Sequence, residues 1–192
     1  KTTLARLITN RVNQKFDSNH ENIAAYIPMD GYHYSRAQLN SFPDPKSAHA
    51  RRGAAFTFDA ASILLLVNNL RKPLSPDTPK IYVPSFCHAL KDPVENDIAI
   101  SSHARILIFE GNYLALNMGP WREIAELFDE RWLLQVDFKV AEKRLISRHI
   151  AAGIAACEED ARKRAQENDL VNGQQIVDNL YAIDQTITSI EI

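Results

Sequence analysis

Apolar residues recur at helical spacing in several stretches of the chain. In the first of these, residues 2–16, the side chains of Leu4, Leu7, Ile8 and Val12 fall on one face of a helix, with polar residues on the other. This pattern predicts an amphipathic helix that packs one face against a core. Four further helices are predicted at residues 60–70, 120–128, 140–152 and 158–168.

Two short apolar segments each end in a carboxylate followed by glycine. Residues 24–29 precede Asp30, and residues 105–109, which are rich in β-branched side chains, precede Glu110. Runs of this length and composition are typical of buried strands. Two further strands are predicted at residues 80–84 and 132–136. Residues 41–56, rich in Pro, Ser, Ala and Arg, are expected to form a long surface loop.

Strands that alternate with helices predict an α/β fold, in which helices cover both faces of a mostly parallel sheet and so form three layers. Ligands of such sheets bind beyond the carboxyl ends of the strands. Because Asp30 and Glu110 each follow a predicted strand, we expect both carboxylates at one edge of the sheet, although 80 positions separate them in the sequence.

The composition is that of an ordinary globular enzyme. The 192 residues are 45% hydrophobic and 24% charged, with a formal charge of −2, which suits one domain with a continuous core. Basic residues are too scattered for a duplex-binding face, so nucleic acid is not an expected partner. Apolar runs fall far short of the roughly 20 residues of a membrane span, and no signal peptide is visible. Two distant cysteines indicate a reducing compartment, and we expect a cytoplasmic protein without a membrane partner.

The first three residues match the end of the phosphate-binding loop G-x-x-x-x-G-K-[ST]. Lys1, Thr2 and Thr3 lead directly into the first predicted helix. In that loop, backbone N–H groups and the helix dipole bind phosphate, the lysine reaches the β- and γ-phosphates, and the hydroxyl binds Mg²⁺. Taken alone, these three residues favour a solvated N-terminus with a threonine cap, and only the rest of the chain makes the phosphate-binding loop the better interpretation. The loop glycines are missing, so we expect the natural chain to start upstream of Lys1.

Five segments in a fixed order extend the match over nearly the whole chain. They are KTTLA, MDGYH, RRGAAFTFD, IYVPSFCH and ILIFEGNYL. Together they resemble the P-loop kinase family that contains uridine kinase, phosphoribulokinase and bacterial-type pantothenate kinase, in particular its nucleoside or sugar kinase-like members. The resemblance implies a single P-loop NTPase domain over residues 1–192, with a helical lid at about 140–170. It also implies that ATP and Mg²⁺ are the cofactors.

The resemblance assigns roles to the two strand-end carboxylates. Asp30 occupies the position of the carboxylate that accepts the proton of the attacking hydroxyl, in a reaction that depends mainly on positioning and charge neutralisation. Glu110 occupies the position of a Walker-B-type acid and, with the Thr2 hydroxyl, would bind Mg²⁺. From the residues alone, Asp30 could simply begin an Asp-Gly turn, and Glu110 could be a plain strand-end acid.

Basic residues on the predicted lid are candidates for contacts with the phosphates. The resemblance implies that Arg144 and Arg148, four positions apart and so on one helical face, bind the nucleotide. Arg148 and Lys1 are also the candidates for stabilising charge on the transferring phosphoryl group, because a guanidinium can pair with two phosphate oxygens. The alternative is a solvated helix face with Glu142 as an ionic partner, and residues 162–164 are expected to be such a surface.

Side chains in the loops after the strand ends are the candidates for recognising the acceptor. They are Tyr32, His33, Arg51, Arg52, Phe86, His88, Asn112 and Tyr113. The PSFCH stretch resembles the P-x-(Y/F)-x-H pattern of pantothenate kinases more than the pattern of uridine kinases, which have aspartate where Cys87 stands. A uracil-directed site is therefore disfavoured. The two histidines could equally be surface residues, and residues 168–172 are expected to approach the adenine.

The sequence thus predicts an ATP-dependent phosphotransferase that moves the γ-phosphate of ATP onto a hydroxyl of a pantothenate-, nucleoside- or sugar-like metabolite. The expected partners are this small-molecule acceptor and, as an open option, a second copy of the chain in a homodimer. One alternative is a degenerate P-loop protein that binds nucleotide without catalysis, against which the joint presence of Asp30, Glu110 and Arg148 argues. A GTPase switch is disfavoured because no guanine-reading N-K-x-D occurs.

Overall fold

The computed structural model describes residues 1–16, 22–73 and 80–190, and the structural statements below refer to these residues. The strands are β1 (Ala24–Pro28), β2 (Ile81–Cys87), β3 (Asp92–Ile100), β4 (Ile106–Glu110), β5 (Trp132–Gln135) and β6 (Gln185–Thr188). The α-helices are α1 (Thr2–Phe16), α2 (Arg36–Leu39), α3 (Pro45–Ala50), α4 (Ala60–Leu70), α5 (Gly119–Leu127), α6 (Phe138–Ala151), α7 (Glu158–Arg164) and α8 (Leu170–Asp178). Short 3₁₀ turns occupy Met29–Tyr32 and Ala55–Thr57, and a π-helical turn, Ala165–Asp169, joins α7 to α8.

Two of the three strand pairs are parallel. β1 pairs with β4, and β5 pairs with β6. In the first pair Pro28 lies opposite Glu110, so both strands end at the same level. β2 and β3 form an antiparallel hairpin with an irregularity between Val83 and Ser85. Across the described ranges, no hydrogen-bonded ladder joins the β1–β4 pair to the β5–β6 pair.

Helix α1 is attached to the start of β1 by one side chain. The Asn13 amide donates to the Ala24 carbonyl oxygen at 3.0 Å, and its oxygen accepts from the Ala24 N–H at 2.8 Å. These bonds satisfy the backbone N–H and the carbonyl oxygen of Ala24, which would otherwise need water as a partner. They fix the helix relative to the strand, and hence the start of α1 relative to the carboxyl ends of β1 and β4.

The main core lies between α4, α5 and the strands. Asp59 caps α4 as its sequence position suggests, because its side chain accepts from the Ser62 N–H at 3.0 Å. The helix then turns Ile63 and Val67 inward, where they are almost completely buried. Burying side chains of this kind contributes about 1.5 to 3 kcal/mol each. The helix thereby supports the segment that follows β1.

The helices after β5 have a small core of their own. Ile146 of α6 packs with Ala161 and Ala165, which lie in α7 and in the π-helical turn. His149, also on α6, is buried and its Nε2 lies 2.8 Å from a carboxylate oxygen of Asp169. This helical region coincides with the segment for which a lid is predicted.

Most predicted elements are found, but several details differ, and the helices α2 and α8 were not predicted. Residues 41–56 are not one long loop, because Asp44 caps the short helix α3 through the Ser47 N–H at 2.9 Å. The strands β3 and β6 were not predicted, because the sequence analysis recognised no apolar run in either of them. β3 contains Pro93 and polar residues, as an outer strand of a hairpin can.

Among the described residues, no helix is long and apolar enough to cross a membrane.

Candidate active site

The carboxylate of Glu110 lies where the end of β4 meets the start of α1. Its Oε1 forms an ion pair with the Lys1 ammonium, and its Oε2 accepts from the Thr2 hydroxyl at 3.0 Å. Thr3, the third residue of the predicted phosphate-binding segment, is exposed. The fold thus brings together Lys1, Thr2 and Glu110, for which the sequence predicted phosphate and Mg²⁺ binding.

Glu110 is held in its ionised form although only 7% of its surface is exposed. Burial alone raises the pKa of this carboxyl. The positive charge of Lys1 and hydrogen bonds from Lys1, Tyr26 and Thr2 outweigh burial and bring the pKa below its usual value. A buried, ionised carboxylate beside two movable donors is suited to receiving a cation.

Two glycines allow the strand ends to pack closely. A Cβ on Gly31 would lie 2.1 Å from the carbonyl oxygen of Pro84 in β2, and one on Gly111 would lie 2.4 Å from the Met29 Cβ. Neither distance is sterically possible, so both sites require glycine. The Asp-Gly and Glu-Gly steps therefore have a packing role, beside any role of the carboxylates.

Asp30 follows β1 in the 3₁₀ turn and is half-buried. Because Pro28 lies opposite Glu110, Asp30 stands just beyond the same strand ends, as the sequence predicted. Its carbonyl oxygen is bonded to His33, by the backbone N–H at 3.3 Å and by ring Nδ1 at 2.9 Å. This double contact fixes the backbone that carries the Asp30 carboxylate.

An aromatic group surrounds His33. Its ring lies 3.9 Å from the Phe58 ring and 4.9 Å from the Phe86 ring, and Phe86 in turn contacts the exposed His88 at 5.3 Å. Burial lowers the pKa of His33, and the positive charges of Arg52 and Lys1 act in the same direction against the opposing effect of Asp30. The imidazole is therefore neutral at pH 7 and presents an apolar face.

Arg52 was predicted to contact the small-molecule acceptor, but in the structure its guanidinium binds groups of the protein itself. Its guanidinium donates to the Tyr34 carbonyl oxygen at 2.9 Å, to the Asp92 carboxylate at 2.7 Å and to the Lys91 carbonyl oxygen. It also lies over the Phe86 ring, and the side chain is only 15% exposed. Through its two terminal nitrogens Arg52 thus clamps the β2–β3 hairpin to the segment after β1, whereas its buried Nε has no hydrogen-bond partner among the described residues.

Two predicted acceptor residues are core residues. Tyr113 is completely buried, packs in the aromatic part of the core, and donates its hydroxyl to the Gly53 carbonyl oxygen at 2.6 Å. Tyr32 is 8% exposed and belongs to the same core. Both were predicted to recognise the acceptor, and their burial leaves little of either side chain open to a ligand, since aromatic rings next to a strand end can turn inward. Asn112 is exposed, as an acceptor contact requires.

The two arginines of the predicted lid differ in their surroundings. Arg144 donates to the Ser189 hydroxyl at 2.9 Å and to the Ile190 carbonyl oxygen at 3.1 Å, so it joins α6 to the chain after β6. Arg148 is exposed on α6, so its guanidinium is accessible to a ligand.

Arg51 connects the turn before Gly53 to the helical region. It donates to the Asn172 side-chain oxygen at 2.7 Å, and the Asn168 amide reaches the Arg52 carbonyl oxygen at 3.4 Å. Both asparagines are buried. The sequence analysis expected residues 168–172 to approach the adenine, whereas these side chains face the turn at 51–52.

Tyr26 belongs to the Glu110 cluster and was missed by the sequence analysis. Its hydroxyl donates to Glu110 Oε2 at 2.8 Å, and the guanidinium of Arg6 on α1 lies 5.2 Å from the centre of its ring. Because 84 positions separate Tyr26 from Glu110, only the parallel register of β1 and β4 reveals the contact. A tyrosine in an apolar strand does not by itself indicate a contact with a distant carboxylate.

Known proteins similar to this chain are kinases. An ATP-dependent kinase-like protein of Aspergillus versicolor is 45% identical over 159 residues, which cover 83% of this chain and 92% of that protein. A uridine kinase-like protein of Schizosaccharomyces pombe is 39% identical over all of this chain and 79% of its own length. No protein-family model matches the chain.

Two solved structures share the fold. YFH7 from Saccharomyces cerevisiae, described as a P-loop containing kinase with a circular permutation, is 33% identical with a TM-score of 0.77, over 88% of this chain and 59% of YFH7. A protein from Silicibacter sp. TM1040, named for a fructose transport system kinase, is 26% identical with a TM-score of 0.79, over 95% and 82% of the two chains. The expected α/β P-loop fold is confirmed, and the chain belongs to the family of P-loop kinases that includes these ATP-dependent and uridine kinase-like proteins.

Proposed function

We propose that this protein transfers the γ-phosphate of ATP to a hydroxyl of a small metabolite. The observation that carries the proposal is the convergence of Lys1 and Thr2, at the start of α1, on the buried carboxylate of Glu110 at the end of β4. A cation, a hydroxyl and an ionised acid at the N-terminus of a helix are the groups that a metal-bound triphosphate requires.

The residues fit Mg²⁺ bound together with nucleotide. Thr2 and Glu110 offer hard oxygen ligands, which this ion prefers. Within the described ranges no three His, Cys, Asp or Glu side chains are grouped to hold a metal by themselves, so phosphate oxygens would complete the site. When bound, Mg²⁺ would neutralise charge on the phosphates. Lys1 would leave Glu110 and bind phosphate oxygens in its place.

Asp30 is the proposed general base. It stands beyond the carboxyl end of β1, next to the strand end that carries Glu110, and its backbone is fixed by His33. A carboxylate in this position would orient the acceptor hydroxyl and take its proton as the new P–O bond forms. Arg148, which is exposed on α6, would stabilise charge on the transferring phosphoryl group.

The acceptor would lie against the rings of His33, Phe86 and His88, which contact one another in this order. His88 and Asn112 are exposed and polar, and Asn112 is a further candidate contact. One relative is named as a uridine kinase and one structural neighbour for fructose, which keeps nucleoside and sugar hydroxyls among the candidates together with pantothenate. We also propose a cytoplasmic location, and we propose that the chain can form a homodimer.

An acceptor screen tests this proposal. ATP consumption by the full natural chain would be measured in Mg²⁺ with pantothenate, nucleosides, sugars, sugar phosphates and glycerate, beside an Asp30→Asn variant and an Asp97→Asn control on the exposed part of β3. We expect at least one acceptor to stimulate ATP consumption in the wild type and in the control, but not in Asp30→Asn. Nucleotide binding without stimulation by any acceptor would favour the non-catalytic alternative.

A further inference from the structure

Among the described residues, Tyr26 is the partner of the Glu110 carboxylate that has no other part in the proposed phosphate transfer. Lys1 and Thr2 also bind this carboxylate, but the proposed function sends both of them to the nucleotide and its metal. The Tyr26 hydroxyl, at 2.8 Å from Oε2, has no such second task. Of the three donors that the described part of the chain gives to this carboxylate, nucleotide binding would therefore remove two and leave Tyr26.

The backbone determines this contact. Tyr26 lies opposite Ile108 in the parallel register of β1 and β4, and Glu110 follows Ile108 by two positions. Side chains at alternate positions share one face of a strand, so Tyr26 and Glu110 project from the same face of the pair. Arg6 lies over the ring of Tyr26 at 5.2 Å from its centre, a distance at which a guanidinium is attracted to the ring face.

Tyr26 is the donor in its contact with Glu110. Its hydroxyl lies 2.8 Å from Oε2, and an ionised carboxylate can only accept. A donor of this kind holds one oxygen of a carboxylate and leaves the other oxygen free to change partners. Outer partners that orient metal ligands in this way typically alter metal affinity by roughly 10- to 100-fold.

We propose that Tyr26 is a positioning residue: its hydroxyl holds the Glu110 carboxylate through Oε2, so that Oε1 would be available to the metal once Lys1 binds phosphate. This inference rests on the proposed function for the metal role of Glu110. It adds a residue whose hydroxyl acts through Glu110 and touches neither nucleotide nor acceptor.

The test uses metal binding, not turnover. Mn²⁺ would replace Mg²⁺, and its affinity for the full natural chain with a non-hydrolysable ATP analogue would be measured by electron paramagnetic resonance. Tyr26→Phe removes only the hydroxyl, and Tyr82→Phe, at an exposed position of β2, is the matched control. We expect Tyr26→Phe to weaken Mn²⁺ binding roughly 10-fold, while Tyr82→Phe and metal-free nucleotide binding stay unchanged.

A second pair of variants shows whether Tyr26 acts through Glu110. In a Glu110→Gln background, adding Tyr26→Phe should cause no further loss of Mn²⁺ affinity. Equal Mn²⁺ affinity in Tyr26→Phe and wild type, full affinity in Glu110→Gln, or additive losses in the double variant would each overturn the inference. If Tyr26→Phe behaves as expected but no acceptor is phosphorylated by the wild type, the inference stands and the proposed transfer reaction fails.

Discussion

The guanidinium of Arg51 donates a 2.7 Å hydrogen bond to the side-chain oxygen of Asn172, which lies 121 positions later in α8. Asn172 is only 5% exposed and its amide lies 3.5 Å from the oxygen of Asn168. The contact joins the turn that precedes Gly53 to the helical region for which a lid is proposed. The stability of each region therefore depends on the other.

This contact leads to a stability prediction. Arg51→Ala should lower the free energy of unfolding by about 1 to 3 kcal/mol, because it leaves the buried Asn172 oxygen without its donor. Urea denaturation would measure the change, with Arg162→Ala on the exposed face of α7 as a control that should change stability much less. The double variant with Asn172→Ala should cost less than the sum of the single changes, and strict additivity would show that the two side chains are not coupled.

Asp30→Asn should leave ATP binding nearly intact and lower kcat by about two or more orders of magnitude, since it removes a proton acceptor without altering shape. Single-turnover transfer and calorimetric nucleotide binding would be compared with those of wild type. A variant that keeps more than half of the wild-type turnover would remove Asp30 from the role of general base.

Arg148→Lys should slow phosphate transfer although it keeps the charge, because an ammonium cannot reproduce the two parallel bonds of a guanidinium to phosphate. Arg162→Lys is the control, since Arg162 lies in the same helical region and pairs with Glu158 at 2.6 Å. The kcat values of both variants would be measured with saturating ATP. Equal kcat for Arg148→Lys and wild type would make Arg148 a surface residue without a role in transfer.

Breaking the pair of Arg52 and Asp92 should destabilise the protein. Asp92 also accepts the Arg36 N–H at 2.9 Å, so Asp92→Ala removes the acceptor of two donors and leaves a poorly solvated guanidinium. We expect a loss of about 1 to 3 kcal/mol in the free energy of unfolding by urea. Asp97→Ala, at an exposed position of the same strand, is the control. An equal effect of the two changes would show that the ion pair does not stabilise the hairpin.

His33 should make the fold less stable as the pH falls below about 6.5, the ordinary pKa of histidine. Burial lowers its pKa in the folded chain, so the unfolded chain takes up the proton first and is favoured as pH decreases towards the folded value. Denaturation between pH 7.5 and 5 should show a smaller loss for His33→Gln than for wild type, as about one proton fewer is linked to unfolding. An equal loss of stability in His33→Gln and in wild type would contradict this prediction.

Local patterns were sufficient for most of the elements. The helical spacing of apolar residues predicted α1, α4 and α6, and the apolar runs before Asp30 and Glu110 predicted β1 and β4. Such patterns are reliable because each buried face repeats within a few residues. β3 and β6 were not predicted, since both carry mixed polar and apolar residues and are stabilised by pairing with another strand. For β6 that strand, β5, lies about 50 positions earlier in the sequence.

The sequence by itself determined the α/β class, the strand-end positions of Asp30 and Glu110, and the resemblance to P-loop kinases, because these depend on local spacing and on the order of short motifs. Only the tertiary structure decided which side chains meet. It buried Tyr113, bonded Arg144 to Ser189, and brought Tyr26 to Glu110. Hydrogen bonds across tens of positions depend on strand register and on the burial of neighbouring groups, and neither leaves a local pattern along the chain.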